Sequence, residues 1–150
     1  MINELGSLAL ATRLKNLSER LAREVAQIYK QSGIDFEPRW FAMIYALKEG
    51  DELTVMELSA LLQQTHPAVN QVANTLVRRG LIVERKHKDD QRKRLLKLSR
   101  KGNNLVKKLN PLWERIKAAN DSLLKESNGF LDKLSELEEA LNQEGIRERM

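Results

Sequence analysis

The spacing of apolar residues changes in the middle of this 150-residue chain. Before Gly80 and after Ser99, apolar residues recur every three or four positions, which is the period of an amphipathic helix. Between these positions, residues 81–85 and 94–98 are short β-prone runs that flank a polar stretch. The pattern predicts a mainly α fold with one small β-hairpin. A plain helical coiled-coil adaptor does not account for the hairpin or for the change of period.

Long apolar stripes lie on both sides of this region. The first predicts a helix from about Leu5 to Gln31, and the second begins after Ser99 and is followed by a last helix from about Phe130. The apolar positions of the first stripe are Leu10, Leu14, Leu17, Leu21, Val25 and Ile28. Because one small module cannot bury both stripes, we expect the chain to self-associate through them.

Helix-capping signals predict two short helices between residues 38 and 62. Pro38 lies in the first turn of a helix that we expect to run to Lys48. Thr54 and Glu57 have the spacing of a capping box, in which the hydroxyl and the carboxylate each satisfy a free backbone N–H. The second helix is therefore expected to begin after Thr54 and to end near Leu62.

The next helix is expected to carry a polar face. Thr65 or His66 caps it, and it runs to about Arg79. A tight turn joins it to the preceding helix, which is the arrangement of a helix-turn-helix that reads the DNA major groove. Amides can bond adenine and guanidinium groups can bond guanine. The exposed face is predicted to carry His66, Asn70, Gln71, Asn74 and Arg78.

Positive charge is concentrated in one segment. Residues 65–108 contain 13 Lys and Arg against three acidic residues, whereas the rest of the chain has 13 basic and 18 acidic residues. Such a local excess predicts a polyanionic partner, here double-stranded DNA. A winged-helix module that mediates protein assembly without DNA is the main alternative, and it gains nothing from so many cations.

The hairpin is predicted to hold its cations against DNA. A basic β-ribbon can lie along the phosphates and place one cation in the minor groove. Side chains two residues apart in an extended chain leave the same face, so the carboxylate of Asp90 can hold the guanidinium of Arg92 outward. The candidate DNA-contacting residues here are Lys88, Asp90, Arg92 and Arg94.

Three segments resemble the MarR family. Residues 65–72 (THPAVNQV) and 76–82 (LVRRGLI) resemble its recognition helix, and residues 90–102 (DQRKRLLKLSRKG) resemble its wing and the entry to its fifth helix. The resemblance implies a single domain, residues 1–150, in which a winged helix-turn-helix core at about 37–98 is joined to dimerisation helices at about 5–31 and 99–145. It also implies a homodimer on a pseudo-palindromic operator.

The resemblance further implies roles for particular residues. Asn70, Gln71 and Asn74 would face bases or nearby phosphates, and Arg92, braced by Asp90, would enter the minor groove. Many members bind small aromatic effectors, so the chain is expected to respond to such a ligand. Repression by blocking a promoter is the expected mode, and activation is the alternative. Ala68 stands where the family often has Ser or Thr, so one common hydroxyl contact is absent. Members that sense oxidants use Cys, and this chain has none.

The residue inventory argues against an enzyme. No Ser/His/Asp set, glycine-rich phosphate loop or metal-binding spacing is visible, and His66 and His87 are the only histidines. We therefore expect no catalytic residue, no cofactor and no metal. No apolar run approaches the roughly 20 residues of a membrane span, and no signal-peptide pattern is visible, so a cytoplasmic protein is expected.

Overall fold

A computed structural model describes all 150 residues of the chain. They form two compact units, Met1–Lys108 and Leu109–Met150. The helices are α1 (Leu10–Gln31), α2 (Phe41–Leu47), α3 (Val55–Leu62), α4 (His66–Arg78), α5 (Arg100–Lys125) and α6 (Phe130–Gln143), and the strands are β1 (Leu53–Thr54), β2 (Ile82–Lys86) and β3 (Arg94–Leu98). The fold is thus mainly α with a small β-sheet, as the change of apolar period predicted.

Helix α1 begins at Leu10 rather than near Leu5. Residues Ile2–Ala9 form 3-10 helix instead, and inside this segment Gly6 has φ +56° and ψ −135°, which lies outside the helical region. Glycine reaches this conformation without the steric cost of a Cβ atom. The apolar period alone does not reveal such a break.

The caps predicted for α3 and α4 are present. The Thr54 hydroxyl accepts a hydrogen bond from the Glu57 N–H at 3.1 Å, and the Glu57 carboxylate accepts one from the Thr54 N–H at 2.7 Å. The Thr65 hydroxyl accepts a hydrogen bond from the Ala68 N–H at 3.4 Å. Between the two helices Gln63 takes a left-handed conformation, which makes the tight turn.

The sheet has three antiparallel strands in the order β1-β3-β2. Strands β2 and β3 form the predicted hairpin, with Ile82 opposite Leu98 at its base and Lys86 opposite Arg94 towards its tip. The third strand, β1, pairs Leu53 with Leu96 and was not predicted. Two residues are too few to show an alternating pattern, so only the tertiary fold reveals this pairing.

One apolar core supports α3, α4 and the sheet. Its side chains are fully buried, and each contributes about 1.5–3 kcal/mol relative to an exposed position. They include Leu58, Val69, Leu76, Ile82 and Leu96. Because α4 and the hairpin share this core, the outer face of α4 has a fixed position relative to the hairpin.

The base of the hairpin fits closely against the first turn of α5. The Ser99 hydroxyl donates to the Gly80 carbonyl at 2.5 Å and accepts from the Gly102 N–H at 3.0 Å. A Cβ atom at Gly102 would overlap the backbone carbonyl oxygen of Leu81. Glycine at this position therefore permits the close approach of the two backbones.

Apolar side chains remain exposed in each unit. In the first unit, Leu10, Leu14, Leu17 and Leu21 of α1 are 37–45% exposed. In the second unit, the exposed apolar residues include Leu123, Leu131, Leu137 and Leu141. None of the helices combines the length and the apolar character that a membrane span requires.

Candidate nucleic-acid interface

Helix α4 separates its apolar and polar residues as the sequence predicted. Its inner face buries Val69, Ala73 and Leu76 completely. The predicted site residues lie on the other side: Asn70 is partly buried, and His66, Gln71, Asn74 and Arg78 are exposed. Thr65 is exposed immediately before the helix and uses its hydroxyl oxygen as the cap.

Arg94 lies between the hairpin and α4. Its Nε donates to the Glu84 carboxylate at 2.5 Å. Its Nη1 donates to Oδ1 of Asn70 at 3.2 Å and to Oδ1 of Asn74 at 2.9 Å. The side chain is only 30% exposed. This arginine therefore joins β2, β3 and α4, a role that its place in a basic run did not reveal.

The contacts of Arg94 determine which hydrogen-bonding groups of two amide side chains remain available to a partner. The Oδ1 atoms of Asn70 and Asn74 both accept from one guanidinium nitrogen, which leaves their NH₂ groups as the available donors. Donors match phosphate oxygens and the N7, O6 and O4 acceptors of bases. Gln71 makes no side-chain hydrogen bond within the protein and keeps both its donor and its acceptor. Among the three amides, only Gln71 has both groups free for the bidentate contact with adenine.

Arg78 is held along the surface of α4. Its Nη2 donates to the Thr75 hydroxyl at 3.4 Å, and this hydroxyl donates to the Gln71 carbonyl at 3.1 Å. The guanidinium keeps its other donors exposed. Arg78 is thus an oriented cation on the same face as Gln71.

Asp90 and Arg92 form the predicted ion pair at the hairpin tip. Oδ1 of Asp90 accepts from the backbone N–H of Arg92 at 3.0 Å and from its Nε at 3.3 Å. The prediction of an extended chain was wrong, because residues 90–93 form a turn in which the Lys93 N–H donates to the Asp90 carbonyl at 3.0 Å. The turn brings the carboxylate to the backbone as well as to the guanidinium.

The two side chains of this pair differ in exposure. Arg92 is 93% exposed, whereas Asp90 is 34% exposed. The hydrogen bonds from the backbone and the guanidinium of Arg92 lower the pKa of Asp90, so this carboxylate is charged at neutral pH. The tip therefore presents an exposed guanidinium, that of Arg92, which is held in place by the ionised carboxylate of Asp90. Lys88 is exposed in the same loop, before the turn.

Several other cations of the basic segment already have acidic partners. Arg85 donates to both carboxylate oxygens of Glu52, at 2.8 and 2.6 Å, and Lys97 lies 4.0 Å from the same carboxylate. The contact with Arg85 lowers the pKa of Glu52. Sequence reasoning missed this cluster because Glu52 lies 33 residues from Arg85. The charge available to a partner is consequently smaller than the count of basic residues suggests.

No group of three or more His, Cys, Asp or Glu side chains is placed to hold a metal ion. The two histidines lie apart in the chain, at the start of α4 and in the hairpin turn. Nδ1 of His87 accepts from the Asp89 N–H at 3.1 Å, which supports the turn. His66 is exposed in the first turn of α4.

Comparisons with known proteins agree with this geometry. Residues 34–93 match a model described as MarR family. A search of curated protein sequences found no match. Among solved structures, the MepR–DNA complex of S. aureus has a TM-score of 0.71 and 20% sequence identity, and the match covers 87% of this chain and 97% of MepR.

Two ligand complexes are also similar. PcaV of Streptomyces coelicolor, with its natural ligand, has a TM-score of 0.69 and 22% identity, over 87% of this chain and 95% of PcaV. NadR with 4-hydroxyphenylacetate has a TM-score of 0.59 and 22% identity, over 91% of this chain and 92% of NadR. At these identities the similarity shows a common fold. The match to the MarR family model covers residues 34–93 within this common fold.

Proposed function

We propose that this protein is a sequence-specific DNA-binding transcriptional regulator, which acts as a homodimer on a pseudo-palindromic operator and responds to a small effector. The proposal rests on the positions of two surfaces, the polar face of α4 and the hairpin tip beside it. The polar face of α4 is held beside the hairpin by Arg94, and the hairpin tip presents Arg92 almost fully exposed. A major-groove helix beside a cationic wing is the geometry of winged-helix DNA recognition.

In this proposal α4 reads the major groove. The amide of Gln71 contacts a base edge, and Arg78 and His66 contact bases or phosphates on either side. Asn70 and Asn74 donate their NH₂ groups to base or phosphate acceptors while Arg94 holds their oxygens. The Thr65 hydroxyl, which serves as the helix cap, donates its own hydrogen to a phosphate.

The wing acts in the minor groove and on the phosphates. Arg92 enters the minor groove with its direction set by Asp90, and Lys88 contacts the backbone. Arg94 acts differently from the other cations of the wing: it positions α4 and contacts DNA at most through the edge of its guanidinium. The exposed cations at the tip favour this function over a protein-assembly module, which has no need of them.

A second copy of the chain covers the exposed apolar side chains. The leucine stripe of α1 and the exposed leucines of α6 are the surfaces that we assign to the dimer. A symmetric pair of winged helices then meets half-sites about one helical turn apart, roughly 34–36 Å. Blocking of a promoter is the expected mode, so we assign a repressor.

The similar structures support the choice of partners. MepR was solved with DNA, PcaV with its natural ligand, and NadR with 4-hydroxyphenylacetate. We therefore propose duplex DNA and a small aromatic effector as partners. We also propose that the protein has no catalytic activity and acts in the cytoplasm.

The test is a salt titration of duplex binding followed by selection of bound duplexes from a random pool. Neutralisation of several phosphates predicts a loss of roughly 10³-fold or more in affinity between 50 and 200 mM salt. The selection should return an inverted repeat, and repeating it with small aromatic acids tests the effector. An affinity that does not change with salt, or a pool without a common motif, contradicts the proposal.

A further inference from the structure

Two asparagines of α4 share one guanidinium nitrogen of the wing. Nη1 of Arg94 carries two hydrogens, which suffice for the bonds to Oδ1 of Asn70 at 3.2 Å and to Oδ1 of Asn74 at 2.9 Å. On its other side the same guanidinium donates from Nε to the Glu84 carboxylate at 2.5 Å. The arginine is thus fixed from the wing, and it fixes both amides in turn.

The orientation of the two amides follows from the chemistry of their partner. A guanidinium has only donors, so an amide that faces it must present its oxygen. Rotation of either amide by half a turn would place its NH₂ group against an N–H group and lose the bond. Asn70 and Asn74 therefore turn their oxygens towards the wing, and neither NH₂ group donates within the protein. Neither residue can present its oxygen and its NH₂ group to one base edge at the same time.

The four bases differ in how well they fit such a donor. In the major groove guanine presents two acceptors, N7 and O6, and no donor, whereas adenine presents one acceptor beside an NH₂ donor. Thymine presents one acceptor and a methyl group, and cytosine presents only a donor. An NH₂ group has two hydrogens, and guanine alone can accept both. Adenine and cytosine place a donor against a donor, which leaves polar groups unpaired.

The two asparagines are placed to contact neighbouring base pairs. They are four residues apart on α4, so they share one face and lie about 6 Å apart along the helix axis. Because base pairs rise by about 3.4 Å, this distance spans roughly two of them. Both residues lie within the 13-residue helix and not at its ends, so they are nearer to base edges than to the flanking phosphates.

We infer that Asn70 and Asn74 select guanine through their NH₂ groups, so that each half of the operator carries guanine at two neighbouring positions. The inference rests on the proposed function and adds to it the identity of two bases. Arg94 is a positioning residue here, because it determines which group each amide offers without having to touch the guanines. When Arg94 is absent, both amides regain their oxygens, and adenine, which bonds an amide oxygen and an NH₂ group together, becomes the better base.

The test is the selection of bound duplexes from a random pool by the wild type and two matched variants. Arg94→Met removes the guanidinium but keeps a long side chain, and Glu84, which is 40% exposed, is solvated when its partner is lost. Lys97→Met removes the same charge from the same strand. Positions 94 and 97 are three apart, so their side chains leave opposite faces of β3.

The wild type should select an inverted repeat with two guanines in each half, near an adenine that depends on Gln71. Arg94→Met should keep this adenine and select adenine at the two guanine positions as well, whereas Lys97→Met should select the wild-type motif. On synthetic duplexes, a change of either guanine to adenine should weaken wild-type binding about fivefold and strengthen binding by Arg94→Met. Inosine, which keeps N7 and O6 in the major groove, should replace guanine with a change within about twofold.

The variant Asn74→Ala gives a second result that does not depend on the folding of Arg94→Met. Asn74 is exposed, so its truncation leaves the core intact, and thermal melting of each variant checks the fold. Arg94 still holds the oxygen of Asn70 in this variant. It should therefore lose the preference for one guanine and keep the preference for the other.

Three outcomes overturn the inference. A wild-type motif without the two guanines shows that the amides contact phosphates or reorient on DNA. Two guanines that persist in Asn74→Ala and disappear in Arg94→Met without a gain of adenine show that Arg94 itself reads them. A large loss of affinity on inosine assigns the preference to the minor groove or to DNA shape. In each of these cases the proposed function stands, whereas a wild type that selects no common motif contradicts the proposed function itself.

Discussion

Two neighbouring arginines of the wing, Arg92 and Arg94, have different surroundings. Arg92 lies in the tip turn, is 93% exposed, and takes its contacts from Asp90, two residues away. Arg94 begins strand β3 directly after the turn, is 30% exposed, and bonds Glu84, Asn70 and Asn74. The two arginines belong to the same basic run, yet one is free for a partner and the other stabilises the fold. A count of cations therefore overestimates the charge that is available to a partner.

The largest expected effect is at the wing base. Substitution Gly102→Ala places a Cβ against the Leu81 carbonyl, and neither backbone can move without separating α5 from the wing base. We expect a loss of about 2–3 kcal/mol in the free energy of unfolding, measured by chemical denaturation. Asn103→Ala, at the neighbouring exposed position, should stay within about 0.5 kcal/mol. Equal stabilities for the two variants would contradict the close packing of the base.

At the tip, the effect should appear in binding and not in stability. Arg92→Ala removes the exposed cation and should weaken duplex binding about tenfold or more, with Tm unchanged. Lys125→Ala, which removes the same charge at the end of α5, is the control and should bind normally. A loss of Tm in Arg92→Ala, or unchanged binding, would remove the distinction between Arg92 and Arg94.

Arg94→Ala tests whether this residue positions α4. It frees the amides of Asn70 and Asn74 and leaves Glu84 unpaired, so we expect a loss of about 1 kcal/mol or less in stability, since the cluster is partly exposed. Binding should lose sequence preference more than non-specific affinity, measured on operator and scrambled duplexes. Arg94→Lys keeps the charge but loses the planar guanidinium, whose several donors have a fixed geometry. This variant should therefore also lose sequence preference. Equal losses on both duplexes would assign Arg94 to the phosphate contacts.

Within α4, the side chains of Gln71 and Asn74 can be compared directly. Gln71→Ala should reduce discrimination between adenine and other bases at one operator position, because only this amide keeps both its donor and its acceptor. Asn74→Ala should reduce discrimination less, since its oxygen is held by Arg94. Competition assays on single-base operator variants measure both, and the reverse order would show that the amides reorient on DNA.

The smallest expected effect is the pH dependence of the stability that Asp90 gives to the hairpin tip. Hydrogen bonds from Arg92 lower the pKa of Asp90, so the stabilisation by this carboxylate is present above its ordinary pKa and is lost as pH falls through the lowered value. The difference in Tm between wild type and Asp90→Asn should therefore be constant from pH 6 to 8 and narrow in acid. A difference that changes near neutrality would point to another titrating group.

Much of the fold and part of the site followed from local signals. The capping box of Thr54 and Glu57 and the cap at Thr65 lie within one helical turn, and the structure has both. The hairpin followed from the change of apolar period. The pair of Asp90 and Arg92 was also predicted, although the turn that forms it was not.

What the sequence by itself determined is therefore the set of helices, the hairpin and the buried side of α4, because periodicity and caps act over a few residues. Only the tertiary structure decided the partners of Arg94 on α4, which lie 20 and 24 residues away, and the pairing of β1. These depend on how α4, the wing and the first turn of α5 pack on one core, and packing joins residues whose separation in the chain carries no local signal. The winged helix was readable from the sequence, but which of its cations are paired within the protein and which are exposed was not.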